Sequence, residues 1–250
     1  NEIPDVAYKL AEKFWPGPLT LIFEKKEIIP NKTTSNLKTV GFRIPNKKIT
    51  LDLLKNLDYP ISAPSANKFG YISPTRTEHI LKNFNKGIDY ILDGGACELG
   101  IESTIIGFEN NKTIVYRLGS LIIEDIEKCI GNLMLYSNEE NYPGSFKNHY
   151  SPQKKLYLGD IEKLINKHKD KRIGILCFDR YFDFIKKENQ IILSNNSSLL
   201  EASKNLYASL YKLDNMKNID IILTSLVEDT LIGKTINNRL IKSAEKDEEY

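Results

Sequence analysis

The sequence is poor in the residues that build metal centres and disulfide frameworks. Its 250 residues include three cysteines, Cys97, Cys129 and Cys177, and three histidines, His79, His149 and His168. The cysteines are odd in number and far apart, so neither a disulfide framework nor a structural zinc site is expected. No apolar run approaches the roughly 18 residues that suggest a membrane helix, and no signal peptide is present. A field of one sign is missing as well. Lys and Arg number 35 against 33 Asp and Glu, a net charge of +2, which argues against a large nucleic-acid footprint. The chain starts at Asn1 rather than Met, and that start reads as a cut. A reduced cytoplasm and no membrane partner are the expectation.

What is present is a mixture of helical and strand periods. Ile3, Val6, Ala7, Leu10, Ala11 and Phe14 recur at three-four spacing behind Pro4, which predicts an amphipathic helix ended by Pro16-Gly17-Pro18. Leu19 to Phe23 reads as a strand. Thr39 to Pro45 alternates, with Val40, Phe42 and Ile44 on one face and Thr39, Gly41 and Arg43 on the other. Thr75-Arg76-Thr77-Glu78 has the form of a capping box opening a helix toward Phe84. Strands are expected at Ile88–Leu92, Ser103–Phe108 and Thr113–Leu118, with a helix at Glu124–Gly131.

From Leu133 to Pro152 the texture becomes polar and aperiodic, which predicts a linker of about 20 residues, a length that hints at a functional segment. Beyond it strands at Lys155–Leu158, Arg172–Phe178 and Ile219–Ser225 alternate with helices at Ile161–Lys167, Leu199–Leu213 and Lys234–Lys246. That rhythm predicts a small Rossmann-like parallel sheet with crossover helices. It contains no GxGxxG, so a dinucleotide site is not supported. The fold class is therefore α/β. Its organisation is expected to be 1–132, a linker over 133–152, and a C-terminal domain over 153–250.

Candidate chemistry gathers in loops and on strand faces. Arg43 shares a strand face with Thr39, and a guanidinium beside a hydroxyl suits a carboxylate or phosphate, because its planar fork matches paired oxygens. A solvated surface arginine would look the same. Arg117 shares a face with Thr113 and Val115, where it could equally snorkel from an apolar patch. The stretch Tyr59–Thr75, YPISAPSANKFGYISPT, sets Ser62, Ser65, Asn67 and Ser73 among three prolines. A stiff loop with short polar side chains can cradle phosphate, or it can simply make turns and helix caps. DGGACELGIEST, Asp93 to Thr104, repeats the pattern. No Ser-His-Asp set, carboxylate dyad or Walker A sequence accompanies these residues. Any chemistry here rests on positioning and charge stabilisation, without a protein nucleophile.

The order KFWPGPLT, VGFRIP, SAPSANKFGYISPT, LDGGACELGIESTII and YRLGS resembles the threonylcarbamoyl-AMP synthases of the YrdC-like family. YPGSFKNHYSP and LIGKTINNRLIKSA resemble the long form with an additional C-terminal domain, so the resemblance spans essentially the whole chain. It implies a twisted mixed sheet with helices around a positively charged concave site. It also implies synthesis of threonylcarbamoyl-AMP from ATP, L-threonine and bicarbonate, with Mg2+ accompanying the nucleotide. The product would pass to the tRNA threonylcarbamoyl transferase machinery for modification of an adenosine beside the anticodon. Residue by residue, the resemblance assigns Arg43, Ala63 and Ser103 to threonine. It assigns Thr39, Ser65, Asn67, Ser73, Arg117 and Tyr150 to ATP.

Two departures from the family pattern accompany this. The family's strand with a threonine-binding Thr, and the Lys-x-Arg segment after it, are not among these 250 residues. The expectation is a catalytic domain truncated at its N-terminus that binds ATP poorly and turns over slowly or not at all. The linker also reads SFKNHY where the family carries a basic, tyrosine-containing stretch. Two other readings stand beside synthesis: a double-stranded RNA or tRNA-binding module, and a carbamoyltransferase-type maturation factor.

Overall fold

The computed structural model describes residues 3–84, 86–136 and 150–245. Most of the expected linker, residues 137–149, lies outside the described residues. The chain divides into two compact units, Asn1–Pro64 with Glu102–Ser145, and Ser65–Ile101 with Phe146–Tyr250.

The first unit is built on a mixed sheet. Its strands are β1 (Leu19–Glu24), β2 (Thr39–Phe42), β3 (Thr104–Glu109), β4 (Lys112–Arg117) and the short β5 (Met134–Leu135), in the order β2-β1-β3-β4-β5. The β1/β2 and β3/β4 pairs are antiparallel, whereas β1/β3 and β4/β5 are parallel. Period-two alternation sorts each strand between two faces. Leu19 and Leu21 of β1, Ile106 of β3 and Val115 of β4 are buried together with Ala7 and Leu10 of helix Asp5–Phe14 and Ile126 of helix Ile123–Ile130. Each such side chain contributes about 1.5–3 kcal/mol by leaving water. Thr20 and Ile22 of β1 are left to the opposite face.

The second unit carries an all-parallel sheet of β6 (Lys155–Leu158), β7 (Ile173–Cys177), β8 (Gln190–Ile192) and β9 (Ile221–Thr224), in the order β6-β9-β7-β8. Parallel sheets need both faces covered, and this one has two apolar layers. Leu156, Leu176 and Ile222 pack with helices Leu199–Asp214 and Gly233–Ser243, through Leu206, Leu210, Ile236 and Leu240. Ile175, Ile221 and Leu223 pack with Ile161 and Leu164 of helix Ile161–Lys167. Side-chain caps open two of the helices: Asp160 accepts from the Lys163 N–H at 3.0 Å, and Ser198 accepts from the Glu201 N–H at 3.3 Å.

Three local expectations are corrected. Ile88–Leu92 is not a strand. Its apolar side chains Ile88, Tyr90 and Leu92 are all exposed, and no neighbouring strand takes up its backbone. The capping box at Thr75 does not form. The helix runs Thr77–Asn83 without a side-chain cap, and the Thr75 N–H is donated to His79 Nδ1 at 3.2 Å. Regular strand structure in β2 also ends at Phe42, one residue before Arg43.

Candidate functional site

The first unit places a hydroxyl pair and a guanidinium on the non-core side of its sheet. Leu19 pairs with Thr104 and Thr20 with Ile105 across β1/β3, while Ile105 faces Arg117 across β3/β4. Between Ile105 and Ile106 the register shifts, so that Tyr116 and Arg117 together stand against one residue of β3. Such a bulge re-aims the side chain that follows it. Arg117 therefore does not share the Val115 face as strict alternation predicts. Its Nε and Nη2 donate to the Ser103 carbonyl at 3.1 and 2.9 Å, and Nη2 also donates to Ser103 Oγ at 3.0 Å. The same Oγ lies 2.8 Å from Thr20 Oγ1. Ser103 is buried and Thr20 half-buried.

The backbone beneath this cluster is clamped from two sides. The Thr104 N–H donates to the Pro18 carbonyl at 3.0 Å, and the Ser120 N–H and Oγ donate to the Glu102 carbonyl at 2.9 and 2.8 Å. Gly119 allows the approach, since a Cβ there would lie 2.2 Å from the Thr104 nitrogen. Held this way, Ser103 offers its hydroxyl with little rotational freedom to lose on binding.

Arg43 belongs to the same face. A Cβ built on Gly41 would sit 3.1 Å from Thr20 Cγ2, so the Gly41 side of β2 is the Thr20 side of β1. Thr39 and Arg43 share it by alternation. Past the end of β2 the chain still follows β1, where the Gly17 N–H donates to the Ile44 carbonyl at 2.7 Å. Arg43 is exposed there. Thr39 stands opposite Glu24, four residues and about 13 Å further along the strand. Ala63 lies in an exposed stretch before Pro64. Of the expected residues in this unit, Ser103 and Arg117 are in direct contact and Arg43 shares their face. The residue missed from sequence is Thr20. Its signal was a lone hydroxyl alternating with Leu19 and Leu21, on a strand otherwise read for its apolar side.

The second unit holds the remaining expected residues. Ser65 is exposed and Ser73 buried. Asn67 does turn work: its Nδ2 donates to the Lys68 and Tyr71 carbonyls, both at 3.0 Å, while its buried Oδ1 has no hydrogen-bond partner. The loop is tied to the end of the linker, where the Ser151 N–H donates to the Gly70 carbonyl at 2.8 Å. Tyr150, next to it, is 1% exposed. Its ring stacks on Tyr207 with centroids 5.8 Å apart, and the Arg239 guanidinium lies 4.7 Å from its centre.

Buried polar groups surround this loop. Tyr71 Oη donates to Asp214 Oδ2 at 2.7 Å, and both burial and that carboxylate push the Tyr71 phenol up, far from any physiological ionisation. Tyr211 Oη donates to the Ile72 carbonyl at 2.7 Å and accepts from Asn83 Nδ2 at 2.8 Å. Burial pushes its phenol up to about 12. Among the described residues no group of three His, Cys, Asp or Glu side chains is placed to hold a metal ion. No step proposed below is routed through a protein-held metal.

Comparison with known proteins bears on both units. Residues 1–119 match the Sua5/YciO/YrdC family model, described as telomere recombination, and residues 121–245 match the model described as threonylcarbamoyl-AMP synthase, C-terminal domain. A curated threonylcarbamoyl-AMP synthase of Pyrococcus abyssi is 33% identical over 262 residues, covering 98% of this chain and 75% of that protein. The chain belongs to the Sua5/YciO/YrdC family. Other Sua5-type relatives agree. The threonylcarbamoyl-AMP synthase of Bacillus subtilis is 31% identical, covering 96% of this chain and 73% of its own length. The crystal structure of P. abyssi Sua5 complexed with L-threonine superposes with a TM-score of 0.87 at 33% identity, covering 98% of this chain and 75% of that one. This bears out the α/β class with a mixed sheet. No described helix of this Sua5-type chain is long and apolar enough to cross a membrane.

Proposed function

We propose that the protein is an L-threonylcarbamoyladenylate synthase, a transferase of the nucleotidyl type acting in threonylcarbamoyladenosine biosynthesis on tRNA. The observation that carries this reading is the contact of Arg117 with Ser103 on the sheet face that Arg43 shares. It supplies cationic forks and a fixed hydroxyl without a protein nucleophile. Kinship with curated synthases and with a threonine-bound structure supports it.

The chemistry needs alignment and charge neutralisation. The amine of threonine adds to CO2 derived from bicarbonate, forming an N–C bond and losing a proton, and yields a carbamate. A carbamate oxygen then attacks the α-phosphorus of ATP. The bond from that phosphorus to the β-phosphate oxygen breaks, and pyrophosphate leaves with the electron pair. Arg43 takes the threonine carboxylate in its fork, and Ser103 and the Ala63 backbone complete the amino-acid contacts. Arg117 spends Nε and Nη2 on Ser103, which leaves its Nη1 for a phosphate. Thr39, Ser65, Asn67 and Ser73 are assigned to the nucleotide. A nucleotide contact by Tyr150 would require its ring to leave the core in which it is buried. Magnesium arrives with the nucleotide phosphates as part of the substrate. The Lys-x-Arg expectation concerns a segment not among these residues and enters no step.

For domain organisation the reading keeps a catalytic part over 1–132, a linker over 133–152 and a Rossmann-like part over 153–250. The two family matches, which end at 119 and begin at 121, support a division in that region.

The test is pyrophosphate release from ATP. Release that requires both L-threonine and bicarbonate is expected. Release indifferent to threonine would overturn the reading and make RNA binding the one to examine.

A further inference from the structure

Ser103 Oγ is the meeting point of two hydrogen-bonding neighbours, and their chemistry restricts what it can offer a ligand. A hydroxyl has one proton and two lone pairs. Arg117 is a donor only, so its contact with Ser103 Oγ at 3.0 Å occupies one lone pair. The Thr20 contact at 2.8 Å can run in either direction. If Ser103 donated to Thr20, it would have only a lone pair left for a ligand. The natural partner of that lone pair in an amino acid is the ammonium, which the Arg117 guanidinium beside it repels. If Thr20 donates, both lone pairs are filled and the Ser103 proton points outward. It then meets an anionic oxygen that the same guanidinium attracts.

We propose that Thr20 is a positioning residue that commits the Ser103 hydroxyl to donate to the carboxylate of the bound amino acid. The inference rests on the synthase reading for the identity of that ligand. Strand geometry makes Thr20 suited to the task. Its Cγ2 is confined beside Gly41, where a Cβ would come within 3.1 Å, and β-branching leaves few χ1 rotamers. The hydroxyl is thereby held toward β3.

The experiment is calorimetric titration of the full chain with L-threonine, using Thr20→Val, Thr20→Ser, Ser103→Ala and the Thr20→Val/Ser103→Ala pair. A melting curve for each variant confirms folding. Thr20→Val, which keeps the shape and removes the hydroxyl, is expected to weaken threonine binding about tenfold. ATP affinity should stay within about twofold. Thr20→Ser should restore threonine binding to within about threefold of the unaltered chain. In the Ser103→Ala background, Thr20→Val should add no further loss, because the two then act as one unit. Unchanged threonine affinity in Thr20→Val would overturn the inference, as would the same loss with or without Ser103. If the unaltered chain shows no saturable threonine binding, the synthase reading falls and the inference falls with it.

Discussion

The imidazole of His79 lies flat against the phenol of Tyr211, with ring centroids 4.0 Å apart and an interplanar angle of 14°. This contact joins helix Thr77–Asn83 to helix Leu199–Asp214 within the second unit. His79 Nδ1 also accepts the Thr75 N–H at 3.2 Å, so the neutral ring is the one this arrangement uses.

Acid should therefore loosen the second unit. Burial is the main cause holding the His79 pKa below its ordinary value; Arg76 and Lys82 push the same way and Glu78 opposes them. The folded state then binds fewer protons than the unfolded state between the lowered value and about 6.5. Stability from this site is fully present above about pH 6.5 and is lost as pH falls through the folded value. Thermal melting at pH 7.5, 6.5 and 5.5 should show a falling midpoint, and His79→Phe, which keeps the stack without a proton, should shallow that slope. An identical slope in the variant would refute the assignment.

Tyr71 and Asp214 give a test of hydrogen-bonding energy. Removing the hydroxyl in Tyr71→Phe leaves Asp214 Oδ2 without its donor, while Oδ1 keeps the Lys154 N–H at 2.8 Å. A loss of about 1–3 kcal/mol is expected, because the carboxylate is buried and its second oxygen is left unmet. Urea titration with an unchanged m-value is the measurement. A loss below about 0.3 kcal/mol would show that water reaches that oxygen.

Gly119 should be intolerant for a reason distinct from backbone strain. A methyl group there would stand 2.2 Å from the Thr104 nitrogen and 2.3 Å from the Ser103 carbonyl carbon. Gly119→Ala must displace the Ser103–Thr104 backbone and with it the contacts of Arg117. We expect at least tenfold weaker threonine binding and a loss of about 2–3 kcal/mol in stability. Gly159→Ala is the control, since its Cβ would meet only Leu164 at 3.5 Å. A Gly119→Ala variant that binds threonine like the control would contradict the clamp.

The roles given to the two site arginines predict opposite substrate signatures. Arg43→Lys keeps the charge but loses the planar fork, so the KM for threonine should rise about tenfold with that for ATP little changed. Arg117→Lys loses both contacts with the Ser103 carbonyl, so both substrates should bind more weakly. A threonine-selective defect in the Arg117 variant and an ATP-selective one in the Arg43 variant would reverse the assignment.

Much of this architecture was legible from period alone. Leu19, Leu21, Ile106 and Val115 announce strands with one buried face, and the β/α rhythm after Lys155 announces a parallel sheet. The site was only partly legible. Ser103 and Thr20 are 83 residues apart, and no local pattern says that β1 and β3 lie side by side. The bulge that re-aims Arg117 breaks the alternation used to place it. At Thr75 the sequence fits a capping box, but His79 Nδ1 takes the N–H before a cap can form. Ile88–Leu92 fails as a strand because alternation in sequence supplies no neighbouring strand to pair with.

Whether the three substrates combine is the most direct question to put to the account. The protein would be incubated with ATP, L-threonine and 13C-labelled bicarbonate, quenched, and examined by mass spectrometry for the adenylate. The account predicts threonylcarbamoyl-AMP carrying one labelled carbon, formed only when all three substrates are present and accompanied by equimolar pyrophosphate. AMP or pyrophosphate formed without threonine, or no labelled adenylate from any combination, would contradict it.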